Sequence, residues 1–211
     1  MATTDRDLTA AARIRDAALR QFAARGVAAT SIRDVARAAR VSPGLVQHHF
    51  RSKEGLRQAV ERFVVQQATE AFGQPIAGGS PAQTSTEIGG KISAFIRANP
   101  AIFAYIGRSL LEGDAAGLEL CGGLLELARA QVDRLAREGL LRPDVDLEWL
   151  ALHVVLIDVG AYLLEPGVSR YLGQPLLSEP GLERMERATA ALFLKGIFRS
   201  GKPRRRLRRA R

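Results

Sequence analysis

The sequence predicts an all-α protein of about nine helices: an N-terminal three-helix helix-turn-helix unit, followed by a larger helical body. Three observations carry this. Apolar residues recur at three- and four-residue spacing along most of the chain, with no convincing alternating stretch. Aliphatic residues and alanine are abundant, while aromatic residues make up 6% of the 211 residues. The segment Ser31 to Phe50, SIRDVARAARVSPGLVQHHF, reads as two short helices joined by a tight turn.

The elements follow in order. Ile14, Ala18 and Phe22 share one face of a first helix, which Gly26 can end in a left-handed cap. Ser31 caps the second, with Asp34 completing a capping-box-like pair, and Ile32, Val35, Ala36 and Ala39 form its apolar face. Arg40-Val41 makes the turn, and Ser42-Pro43 restarts the chain as N-cap and first helical residue. In the third helix Val46 and Phe50 point inward, leaving Leu45, Gln47 and His48 outside. Ser52 caps a fourth helix from Lys53 to about Phe72, with Leu56, Ala59, Val60, Phe63 and Val64 as its stripe.

A Gly-, Pro- and Ser-rich linker, GQPIAGGSPAQTS, follows. A helix from about Thr84 to Ala98 should stop at Asn99-Pro100, because the residue before proline is pushed out of the helical region. Another runs to about Glu112, and Ala115 to Glu138 reads helical despite Gly122-Gly123. Asp146 caps a long apolar helix to about Leu164, which Pro166-Gly167 ends. The last helix spans about Glu179 to Phe198, and no internal repeat is visible.

Composition narrows the function classes. A single cysteine, Cys121, excludes an internal disulfide and suits a reducing cytosol. The first sixteen residues include acidic residues and no apolar core, unlike a secretory signal. The most apolar run, Trp149 to Leu164, contains His153 and Asp158 and falls short of the roughly 20 apolar residues of a membrane span. A cytoplasmic protein without membrane contact is expected. His48 and His49 point about 100° apart on a helix and cannot jointly chelate a metal. No phosphate-binding glycine loop, HExxH or GxSxG occurs, so neither catalysis, a metal nor a cofactor is expected.

The net charge of +9 divides into +6 over residues 1–60, −4 over 61–201 and +7 over 202–211. A basic head on an acidic body matches a DNA-reading unit carried by a domain that does not bind DNA. The tail KPRRRLRRAR is expected to be disordered and to add sequence-independent phosphate contacts. Arginine outnumbers lysine 27 to 4, which points to a GC-rich bacterial genome.

The matches ALRQFAARGVAATSIRDVARAA, then VSPG, then HHFRSKEGL, make residues 10–65 resemble the N-terminal domain of the TetR (tetracycline repressor) family. Two departures stand out. Arg40 occupies a turn position usually held by glycine, and Gln47 one usually held by a DNA-contacting tyrosine. The outward residues have chemistry for reading DNA. Gln47 suits bidentate bonding to adenine, and Leu45 a thymine methyl group. His48 and His49 can donate to phosphates or base edges, and His49 can equally orient the helix. Ser42, Pro43 and Gly44 open the reading helix. Thr30, Ser31 and Lys53 lie at helix starts, where phosphates bind, and Arg33 can reach a guanine or a phosphate.

The resemblance further implies boundaries of 1–52 for the helix-turn-helix domain and 53–201 for an effector-binding and dimerisation domain, with the tail at 202–211. It implies a homodimer on a palindromic operator in double-stranded DNA, built from the last two long helices. The interface candidates are Leu182, Met185, Thr189, Leu192, Phe193 and Gly196. It also implies a cavity for a mostly apolar small molecule whose identity the sequence leaves open. The candidates to line it are Phe63, Phe95 and Phe103 with Tyr105, Leu110 and Leu124, and Trp149, His153 and Ile157 from the apolar helix. For each apolar one, plain core packing is the alternative. His153 is expected to face the pocket, while Asp158 stays open between pocket and dimer interface. The function expected is a repressor released by its effector. The alternatives are an activator or co-repressed regulator of the same fold, or a helical small-molecule carrier that does not read DNA sequence.

Overall fold

The structure, a computed structural model, describes residues 5–73 and 80–197. Ten α-helices occupy those residues: α1 (Asp5–Arg25), α2 (Ile32–Ala39), α3 (Pro43–Phe50), α4 (Lys53–Phe72), α5 (Pro81–Ala98), α6 (Pro100–Glu112), α7 (Ala115–Arg137), α8 (Leu147–Leu163), α9 (Glu165–Leu172) and α10 (Glu179–Gly196). The basic tail lies outside the described residues.

Two boundaries differ from the sequence expectation. α5 begins at Pro81 rather than about Thr84, because Ser80 and Gln83 cap reciprocally. The Gln83 amide donates to Ser80 Oγ (3.3 Å), and the Ser80 amide to Gln83 Oε1 (2.9 Å). The helix beyond the nine expected is α9. Pro166-Gly167 ends one helix as expected but also starts another, since proline in a first turn needs no partner for the amide it lacks. Leu164 is both the C-cap of α8 and the N-cap of α9.

The chain packs into two compact units. The first takes the residues up to Glu70 together with Ala98–Leu124. Its core is Ile14 and Phe22 of α1, Val35 of α2, Val46 of α3, and Leu56, Val60 and Val64 of α4, each at most 1% exposed. α6 belongs here. Phe22 meets the Tyr105 ring at 6.5 Å between centroids, and Arg108 Nε donates to the Ala23 carbonyl oxygen (3.0 Å). An ion-pair network ties α4 to the start of α7. Arg57 forks onto both carboxylate oxygens of Asp114 (2.6 and 2.7 Å) and donates from Nε to Glu61 (2.9 Å). Tyr105 Oη donates to the same Glu61 oxygen (3.1 Å). The Arg57 guanidinium and the Gly117 amide hold the Asp114 carboxyl down to about 2.

The second unit takes Ala71–Arg97 with the residues from Leu125 on. Val132 and Leu135 of α7, Leu140 and Leu141 of the following loop, and Leu150 and Ala151 of α8 form its core, and Phe193 and Ile197 pack against it. Asp146 caps α8 by accepting from the amides of Glu148 (3.0 Å) and Trp149 (3.1 Å). No single helix among the described residues is long and apolar enough to cross a membrane. The α8–α9 pair reaches the length only across a 78° bend.

Candidate nucleic-acid interface

The joint between α2 and α3 is built by local capping. The Asp34 amide donates to Ser31 Oγ (3.1 Å) while the Ser31 amide donates to Asp34 Oδ2 (3.1 Å), closing the box expected from the sequence. The Ser31 hydroxyl, which also donates to Asp34 Oδ2, and then the Ser31 amide lower the Asp34 carboxyl from its ordinary value. Arg40 takes the left-handed conformation (φ 56°, ψ 49°), and Val41 then donates back to Ala36 (2.9 Å). The arginine in the glycine position is accommodated as a left-handed cap. Ser42 Oγ accepts from the Leu45 amide (3.2 Å), and Pro43 opens α3.

One turn of α3 sets what is presented. Val46 is fully buried and fixes the helix against α1 and α2. Pro43, Gly44, Gln47 and His48 are exposed, and Leu45 is half-buried. On the neighbouring helix start, Ser31 and Arg33 are exposed as well.

Two expected contacts resolve differently, and His49 takes the second of its two expected roles. Thr30 is 1% exposed, and its hydroxyl donates to the Gly26 carbonyl oxygen (2.8 Å), so it closes the α1–α2 loop and cannot reach a phosphate. Lys53 Nζ donates to the carbonyl oxygens of Val27 (3.0 Å) and Ala28 (3.3 Å), which commits two of its three N–H groups to pinning α4 on that loop. His49 is half-buried, packed edge-on to His48, with Nε2 buried and lacking a hydrogen-bond partner. It orients α3 rather than facing outward.

The far end of α3 carries a feature that sequence reasoning missed. Arg51 has φ 62° and ψ −48°, and the Ser52 amide donates to the Phe50 carbonyl oxygen (2.7 Å), a γ-turn of the strained, positive-φ kind. The turn brings the Phe50 carbonyl so close to Gly55 that a Cβ at position 55 would collide with it. Arg40 and Arg51, both exposed, therefore bracket α3. A basic residue at each end of a short polar-faced helix was the available signal.

The second unit holds a cavity of about 80 Å³ among α5, α7, α8 and α10. Of the expected lining residues Ile157 reaches it, joined on α8 by Leu150, Val154 and Asp158. The others lie elsewhere. Phe63 carries the Arg15 guanidinium 3.6 Å above its ring, Tyr105 and Phe103 are buried in the first unit, and Leu110 and Leu124 are half-buried there. Phe95 is buried edge-on to Phe72 (5.1 Å). Trp149 and His153 pack together at 5.6 Å and are exposed on α8. The pocket-facing polar residue is thus Asp158, not His153. The cavity face runs through Leu150, Val154, Ile157 and Asp158 at helical spacing, and His153 lies about 100° away from Val154.

The stripe assigned to the dimer interface also turns inward for the most part. Leu182 is buried, and Met185, Thr189 and Phe193 line the cavity. Leu192 and Gly196 remain exposed.

Residues 14–60, from Ile14 in α1 to Val60 in α4, match the family described as bacterial regulatory proteins, tetR family. The HTH-type transcriptional regulatory protein RaaS of Mycobacterium tuberculosis is 33% identical over 158 residues, 75% of this chain and 72% of that protein. The chain belongs to the TetR family. It is therefore a DNA-binding transcriptional regulator and not an enzyme. Solved structures share the fold of this TetR-family chain. A TetR transcriptional regulator from Chloroflexus aurantiacus superposes with a TM-score of 0.70 at 21% identity, covering 93% of this chain and 100% of that one. Salmonella enterica GusR gives 0.65 at 22% identity, over 89% and 96%.

Proposed function

We propose that the protein is a cytoplasmic repressor that binds a palindromic operator as a homodimer and lets go when a small molecule occupies the cavity of its second unit. The observation that carries the reading is the outward face of α3. Gln47 and His48, with the helix start at Pro43-Gly44, are held at the surface by a fully buried Val46, a geometry suited to base edges in a major groove. One short helix gives little specificity, and a twofold dimer doubles it.

The exposed apolar face of α8 supports the dimer. Trp149 and Leu156 are each 56% exposed and Leu164 is 65% exposed, and Leu192 of α10 is 65% exposed. Apolar surface of this kind on one helix face calls for a partner. Release follows as a population shift: an effector that favours another packing of α7, which contributes residues to both units, disfavours the DNA-bound arrangement by the same coupling free energy. Selection from random DNA with the full chain tests the reading. A palindrome with half-sites roughly 34–36 Å apart is expected, and the absence of any enriched palindrome would overturn it.

A further inference from the structure

The cavity of the second unit is apolar in most of its wall, with Ile92 and Ile96 of α5, Val132 of α7, Ile157 of α8 and Phe193 of α10. Among the described residues its charged lining is Asp158 of α8 and Glu186 of α10, with no Lys, Arg or His. Glu186 is seated against α5. Ser93 Oγ donates to Glu186 Oε2 (3.5 Å), and the carboxyl stem lies where a Cβ on Gly89 would come within 2.5 Å of Glu186 Cγ. Gly89 is the residue that lets it sit there. Asp158 has no ionic or hydrogen-bond partner among the described residues, and burial pushes its carboxyl up to about 7.

Asp158, an unpartnered carboxyl in a mostly apolar wall, is expensive to ionise. An anionic occupant would add a third negative charge, and a neutral apolar one would bury the carboxyls further. A cation offsets the cost. We propose that this cavity takes a protonated amine with an apolar body, the ammonium held between Asp158 and Glu186 and the body against the α5, α7 and α10 side chains. The proposal rests on the effector reading above and names the chemical class of the ligand. Pockets that enclose drug-sized molecules span ~300–1,000 Å³. At about 80 Å³ the chamber accepts an ammonium and a few methylenes as it stands, and a larger body would have to part the helices.

Calorimetry on the full chain with n-butylamine, n-butanol and n-butanoate tests this with one hydrocarbon and three head groups. The amine is expected to bind about tenfold or more tightly than the alcohol, with the carboxylate weakest. Asp158→Asn and Glu186→Gln should each erase about tenfold of that preference. A second measurement needs no variant. Glu186 is the other titratable group facing the chamber, while α5 and α7 present hydroxyls and apolar side chains. An alkylamine stays protonated throughout, so amine affinity should fall from pH 8 to pH 6 as Asp158 takes up its proton. Equal binding of the alcohol or carboxylate, no binding of the amine, or a flat pH profile would each overturn the proposal. Equal binding would leave the effector reading intact. That reading fails separately if bound amine, or any cavity ligand, leaves an operator gel shift unchanged.

Discussion

On α3, neighbouring residues take opposite duties. Val46 is fully buried, and Gln47 and His48 beside it are exposed and free for base edges. Gln47→Ala is expected to relax the preference at one position of each half-site by ~1–3 kcal/mol, read as binding to a panel of operator variants. Uniform weakening across the panel would contradict a base-reading role. Arg51 supplies a prediction about stability. Its positive φ with ψ −48° is a conformation that glycine adopts without a side-chain penalty, so Arg51→Gly should raise unfolding stability by ~1 kcal/mol in a denaturant titration, even as it removes a charge beside α3. The Arg40-Val41 turn and the Ser31 and Ser42 caps were legible in the sequence because each depends on residues within five positions. Thr30 and Lys53 were not. Whether their polar atoms face DNA or the protein depends on where the carbonyls of Gly26, Val27 and Ala28 land, and local pattern does not encode that.

Among elements, Arg57 of α4 is joined to Asp114 at the start of α7 by a two-pronged ion pair. Arg57 is 6% exposed, so deleting its partner leaves a buried guanidinium with Glu61 alone. Asp114→Asn is expected to cost ~2 kcal/mol of unfolding stability. The acid limb carries the sign. The Asp114 carboxyl is held at about 2 in the folded chain against an ordinary value of 3.8. Its contribution is therefore full above about pH 4 and drains away as pH falls toward 2, and the variant should lose that part of the acid sensitivity. The phase of α8 and α10 is where reading the sequence fell short. α8 is apolar nearly all round, so periodicity could not say which side faces the chamber, and His153 was preferred to Asp158. On α10 two apolar arcs adjoin, and the broader one, through Leu182, Met185, Thr189 and Phe193, turned out to serve the unit's own interior.

At the scale of the molecule, the proposed dimer depends on the exposed face of α8. Leu156→Glu is expected to weaken self-association by ~2 kcal/mol or more in sedimentation equilibrium. The helical fold of each protomer should persist by circular dichroism, because Leu156 is 56% exposed in the single chain. The unfolding temperature should fall with the lost association. Residues 202–211 hold seven basic and no acidic residues. Removing them should weaken operator binding and flatten its dependence on salt, and an unchanged slope would reject a phosphate-binding role. The all-α class and the order of helices were legible because amphipathic spacing and caps repeat in nearly every element. The grouping of helices was not, since α6 joins α1 through contacts more than 80 residues apart in the chain. That grouping has a practical consequence for anyone grafting this head onto another sensor. A cut after residue 52 would strip Phe22 of its Tyr105 neighbour and the Ala23 carbonyl of its Arg108 donor. The transplant that keeps its shape is a discontinuous one, in which the donor's α6 travels with its reading helices.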